Sequence, residues 1–302
     1  MERHIIHAAG RAAAALIIII FGSYIISAQG VAGTWTAKSK AKDPDKIHIS
    51  FSLETANGGR NQHGKSYTST DVQGIAPGQA DGPVSFSIIR DAGTIEATGA
   101  FEGGKGSGTF RFVPNYGYVD AMKSRGFDFE AEGSKGDRSG TMEEKLFVAA
   151  TLDVTVALAD DLRSANFPNL GVDDLFKAAI FKIDSNFMRE MAATGFPNLS
   201  MEDLVKARIF KIDAEFVRGI KDMGFGADNF EHLVKYSIFK VTPEYLNELR
   251  GAGLNDLDPE EVVKLRIFKI DAEYIRQARA QDPTISVEKI VQKKIGIGSL
   301  GF

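Results

Sequence analysis

The sequence contains no cysteine, which excludes disulfide staples, thiol catalysis and cysteine-rich zinc sites, and leaves packing as the source of stability. It also lacks a basic excess: 36 Lys and Arg face 40 Asp and Glu, a net charge of −4. A general nucleic-acid binder would carry a basic field or stripe, so no nucleic-acid partner is expected. Histidine is scarce. Beyond the first residues only His48, His63 and His232 occur, none at metal-ligand spacing from another. No Ser/His/Asp constellation can be singled out. Neither metal nor cofactor is expected. The single tryptophan, Trp35, is expected in a core.

Long apolar runs are missing too, with one exception. Ala12 to Ile26 is uncharged and mostly apolar, preceded by Arg3 and Arg11 and followed by Ser27-Ala28. At about 15 residues it falls short of the roughly 20 that a spanning helix needs. Residues 1–28 therefore read as a signal peptide, with an uncleaved anchor as the alternative. Either way the rest of the chain is expected to be periplasmic or secreted. Membrane contact is expected only if the segment stays uncleaved.

The chain of 302 residues has room for two ordinary domains. Its C-terminal half is periodic. Ile180-Phe181-Lys182-Ile183 recurs from Ile209, from Ile267 and, ending in Val241, from Ile238, in a 29-residue register. Within each period the signals predict two helices. The first opens on Asp184, Asp213, Thr242 or Asp271 as N-cap, presents Phe187, Phe216, Tyr245 or Tyr274 inward, and stops at Gly195, Gly224 or Gly253. The second opens on Ser200, Asp258 or Ser286, with Asp203 and Glu261 completing capping boxes. Tyr118, Met122, Gly126 and Phe127 match Phe216, Ile220, Gly224 and Phe225, so a first copy fills 115–154, with a Gly- and Ser-rich insertion. Five more fill 155–299. About six copies are expected to stack.

Before them, 33–114 changes period to two. Ile47, Ile49, Phe51 and Leu53 alternate with polar residues, as do Val84, Phe86 and Ile88. An antiparallel meander of about five or six strands follows. The predicted class is thus α+β multidomain: a small antiparallel β-domain ahead of an α-helical hairpin stack.

One literal motif conflicts with this picture. Gly59 to Ser66 matches the P-loop pattern through Gly59, Gly64, Lys65 and Ser66. A working P-loop needs a helix opening at Lys-Ser, and Tyr67-Thr68-Ser69-Thr70 followed by Gly74 and Pro77 cannot supply it. The segment reads as a flexible hairpin loop. His232 occupies the helix position of Asp203 and Glu261 and is expected to be exposed.

Two lysine columns remain. Lys177, Lys206, Lys235 and Lys264 each follow an acid by four residues (Asp173, Glu202, Glu231, Glu260), the spacing of ordinary pairs within one helix. Lys182, Lys211, Lys240 and Lys269 have no such partner. They read either as companions of a helix C-terminal dipole or as a basic ladder that contacts an acidic partner.

The run Val84-Ser85-Phe86 … Arg90-Asp91-Ala92-Gly93-Thr94 … Gly104 to Pro114, followed by helical hairpins, resembles the extracytoplasmic tails of BlaR/MecR-like bacterial membrane proteins and related exported proteins. The resemblance implies a module tied to envelope signalling. It does not bring the peptidase, because this chain has no His-Glu-x-x-His and no set of membrane spans. The copies also carry Phe-Lys where those tails are expected to carry His-Gly. The expected function is a non-catalytic, protein-binding or sensory scaffold of the bacterial envelope. The alternative is an envelope hydrolase with a site between the β-domain and the first copies.

Overall fold

A computed structural model of the chain describes residues 30–39, 43, 45–54, 60–130, 141–165, 170–225 and 228–296. The segment 1–28, Gly59, most of the insertion and the residues after Gly296 lie outside them. Six strands come first: β1 (Ala32–Ser39), β2 (Lys46–Glu54), β3 (Arg60–Thr68), β4 (Gly82–Arg90), β5 (Gly93–Glu102) and β6 (Lys105–Pro114). They form one antiparallel sheet in the order β3-β2-β1-β6-β5-β4. Two three-stranded meanders are thus joined through β1 and β6, rather than one continuous meander.

The sheet is curled. Its edge strands are joined at one end by Asp71, just after β3, whose carboxylate takes a 2.7 Å hydrogen bond from Arg90 at the end of β4. Asp71 also accepts from the backbone and hydroxyl of Thr68. Burial works against the charged form, but these bonds win and hold the carboxyl below its usual range. Alternation along the strands turns Ile49, Phe51, Phe86, Ile88, Ile95, Phe110 and Phe112 into the hollow, all nearly fully buried. Trp35 is 1% exposed, donates its indole N–H to the Thr98 carbonyl, and packs edge-on to Phe86, as the sequence leads one to expect.

Twelve helices follow among the described residues: α1 (Tyr116–Lys123), α2 (Met142–Leu152), α3 (Val156–Ser164), α4 (Val172–Phe181), α5 (Ser185–Ala193), α6 (Met201–Ile209), α7 (Ala214–Asp222), α8 (Phe230–Ile238), α9 (Pro243–Gly251), α10 (Pro259–Ile267), α11 (Ala272–Gln281) and α12 (Val287–Lys294). None is long and apolar enough to cross a membrane. The α+β architecture is therefore as read. Odd-numbered helices pack on odd-numbered ones and even on even, so the helices form two rows.

The caps are the predicted ones. Asp184, Asp213, Thr242 and Asp271 each accept the backbone N–H three residues on. Ser200 with Asp203, and Asp258 with Glu261, form capping boxes. Gly195, Gly224 and Gly253 take left-handed φ of 104°, 67° and 91°. They carry a second constraint as well. Lys221 donates to the Thr194 carbonyl and Arg250 to the Met223 carbonyl, so a cation from the next odd helix closes the end of the previous one. A Cβ on Gly195 would stand 2.7 Å from Lys221 Nζ.

Helix α2 joins the halves. Phe147, fully buried, stacks on Phe110 at 5.2 Å and meets Phe51, Phe112 and His63 edge-on. The desolvated His63 ring is correspondingly harder to protonate. The Asp91 carboxylate, at the β4–β5 turn, accepts the Val156 N–H at the start of α3.

Candidate functional site

The even helices end in a shared corner. After α4, α6, α8 and α10 the chain turns through Lys182, Lys211, Lys240 and Lys269, whose φ values are 54°, 54°, 55° and 52°. This is the left-handed region, where a residue bearing Cβ pays roughly 1–2 kcal/mol. The N–H of each following residue (Ile183, Ile212, Val241, Ile270) bonds the carbonyl five residues back, the closure that ends a helix on a left-handed residue. The sequence places these lysines at helix ends without announcing their left-handed backbone.

The corner backbone is held from the next even helix. Arg208 donates to the Lys182 carbonyl at 2.7 Å and Arg266 to the Lys240 carbonyl at 2.9 Å, while the Ser237 hydroxyl donates to the Phe210 carbonyl. Arg208 lies over the Phe187 ring and Arg266 over Tyr245, so both guanidinium groups are fixed from below. All four lysine side chains are exposed, and none has a side-chain hydrogen bond or ion pair among the described residues.

Beside each lysine stands an unexpected neighbour. Ile180, Ile209, Ile238 and Ile267 are 53%, 53%, 47% and 48% exposed. An isoleucine recurring at one position reads as core, but the helix ends there and the turn leaves it outside. Each corner therefore carries a half-exposed isoleucine two residues before an exposed lysine. This apolar column was missed in the sequence; its only signal was that the apolar stripe of each second helix is already complete without it.

The other lysine column pairs differently from its reading. Lys177 bonds Glu202, Lys206 bonds Glu231, Lys235 bonds Glu260 and Lys264 bonds Glu288, at 2.5–2.6 Å. Each lysine thus reaches forward to the next even helix, not back four residues along its own. Of the acid four residues back and the one across the helix–helix contact, the side chains take the latter; Lys177 and Lys206 also lie 3.6 and 3.4 Å from Asp174 and Asp203, three residues back on their own helices. The bonds raise the pKa of Lys177, Lys206 and Lys264 and lower that of Glu288.

The P-loop residues occupy an edge strand, not the expected loop. Gly64, Lys65 and Ser66 lie within β3 and pair with Ser50, Ile49 and His48 of β2. In a paired strand successive backbone N–H groups alternate in direction instead of converging, and no helix opens at Lys65. His232 is half-buried rather than exposed, its Nδ1 buried without a hydrogen bond.

Between sheet and first helices, an open cleft is lined by Gly30, Val31, Ala32, Leu53, Thr141, Glu143 and Glu144. Both carboxylates are engaged, Glu143 by the Tyr116 hydroxyl and Glu144 in a capping box with Thr141. Backbone hydrogen bonding first, and then Tyr116 and Thr141, keep Glu143 below its ordinary pKa, which suits an anion rather than a general acid. Among the described residues no group of His, Asp and Glu could hold a metal ion.

No family model, curated protein or solved structure matches the chain.

Proposed function

We propose that the twelve helices are six copies of one hairpin with a 29-residue period, and that the chain is a non-catalytic scaffold of the bacterial envelope. It binds another protein along the ridge formed by Ile180, Lys182, Ile209, Lys211, Ile238, Lys240, Ile267 and Lys269. The observation that carries this reading is the recurrence at four helix ends of a large apolar side chain, about half exposed, two residues before a lysine without a side-chain partner among the described residues. Scattered exposed isoleucines need no explanation, but a row of them in register is the kind of surface that partners cover. Stacked hairpins supply such rows as a matter of geometry. The likeness of Val84 to Pro114 to envelope modules supports the location.

The alternative, a hydrolase working between the sheet and the first helices, has the geometry of α2 against it. That junction is filled by Phe147 and its ring partners, and in the cleft beside it Thr141 and Glu144 are engaged in a capping box and Glu143 by the Tyr116 hydroxyl. The test is a photo-crosslinking residue in place of Ile209, compared with one in place of the exposed Asn247 on α9. In cells the first should trap a discrete protein adduct and the second should not. Equal yields at both positions, or none at Ile209, would remove the ridge as a contact surface.

A further inference from the structure

We infer that the ridge takes an acidic segment in a polyproline-II-like extended form, with a carboxylate at every third residue. The inference rests on the protein-binding reading above and adds the chemistry and spacing of the ligand.

The charge follows from how the corner position is used along the chain. Where only a left-handed stop is needed, the chain uses glycine, at Gly126, Gly195, Gly224, Gly253 and Gly296. At four consecutive even-helix ends it uses lysine instead, in a backbone conformation that favours glycine. A favourable helix dipole does not require this at three of the four corners, because a cation anywhere in the last turn serves it, and Arg208, Lys235 and Arg266 already stand there in α6, α8 and α10, whereas α4 has none. The end of α2 shows what a charge at this position does when it has a neighbour. Asp153, left-handed with φ 63°, lies 3.0 Å from Arg90 of the sheet. There the corner charge is opposite to that of the surface it meets. The four lysines accordingly call for an anionic surface.

Carboxylates follow the corners as well: Asp184, Asp213 and Asp271, two residues beyond a lysine, and Glu215, Glu244 and Glu273 in the first turns of α7, α9 and α11. The three aspartates are occupied in accepting the backbone N–H of Phe187, Phe216 or Tyr274. The four lysines are the charges at the corners themselves, and none has a side-chain partner among the described residues.

The spacing follows from packing. Adjacent helices stand about 8–10 Å apart, so successive corner lysines repeat at about that distance. A polyproline-II strand has three residues per turn and rises about 3.1 Å per residue, so every third side chain faces the same way at about 9 Å. A β-strand returns to one face every second residue, at about 7 Å, and falls out of step within the four corners. Between carboxylates, small apolar side chains would meet the isoleucines. The corner backbone is already fixed by Arg208, Ser237 and Arg266, so little is lost in ordering it.

The experiment uses the chain from Gln29 onward and three synthetic peptides of equal charge and length, at low salt, read by fluorescence anisotropy. One places Glu at every third residue in a Pro- and Val-containing background, one at every second, and one in a single block. Vesicles of anionic phosphatidylglycerol form a fourth arm. The third-residue peptide should bind about tenfold or more tighter than the others, a difference of about 1.4 kcal/mol. Replacing the four lysines together (Lys182→Gly, Lys211→Gly, Lys240→Gly, Lys269→Gly) should abolish that preference while leaving the midpoint of denaturant unfolding unchanged or higher, since glycine relieves the left-handed turns. Equal binding of the three peptides, tighter binding to vesicles, or undiminished binding by the glycine variant would overturn the inference. Those results leave the protein-binding reading standing if Ile209 still traps a protein. Loss of the Ile209 adduct removes both.

Discussion

Phe147→Ala is expected to destabilise the protein by about 3–5 kcal/mol, the range for deleting a buried phenyl ring. The ring is completely buried and sits between Phe51, Phe110, Phe112 and His63. It is the side chain through which α2 docks on the sheet, so the vacated space is bounded by strands that cannot collapse around it. Guanidinium unfolding followed by far-UV circular dichroism measures the loss directly. A change below about 1 kcal/mol, typical of surface substitutions, would mean that sheet and helices do not share this core.

Gly195→Val is expected to cost roughly 2–3 kcal/mol, and Gly224→Val clearly less. Both positions are left-handed, so each pays about 1–2 kcal/mol for acquiring a Cβ, with β-branching worsening the fit. The difference lies in the neighbour. At Gly195 the new Cβ stands 2.7 Å from Lys221 Nζ and drives that lysine off the Thr194 carbonyl, whereas at Gly224 the nearest group, Arg250, is 3.9 Å away. Losing a charged hydrogen bond at a helix end contributes roughly a further 1 kcal/mol. Parallel denaturant melts give the ranking; equal losses would show that the cations of successive odd helices do not close one another's ends.

The helix ends were legible because their chemistry is local. A cap needs a side-chain oxygen at one position and a reachable N–H three residues on, and Asp184, Ser200 and Asp258 announce both within a few residues. The corner was not legible, because a left-handed lysine is uncommon and nothing in Ile-Phe-Lys-Ile distinguishes the exposed first isoleucine from the buried last residue. The contrast between Gly195 and Lys211 at successive helix ends was the available sign. The ion pairs were misread for a different reason. In a periodic sequence Glu202 lies four residues before Lys206 and twenty-five after Lys177, and only packing selects between them. Strand β3 reads as a loop in the sequence because an edge strand needs little hydrophobicity, and Gly64, Lys65 and Ser66 hide the alternation that Tyr67 alone betrays.

The proposed alignment of the corners on one edge of a continuous stack can be measured in solution. The absence of cysteine allows clean placement of pairs of spin labels on cysteines replacing Ile180 with Ile238, and Ile180 with Ile267. Helices packed at about 8–10 Å predict pulsed dipolar distances of roughly 20 Å and 30 Å, each narrowly distributed and increasing with the number of helices between. Equal distances, or distributions too broad to rank, would contradict a continuous ridge.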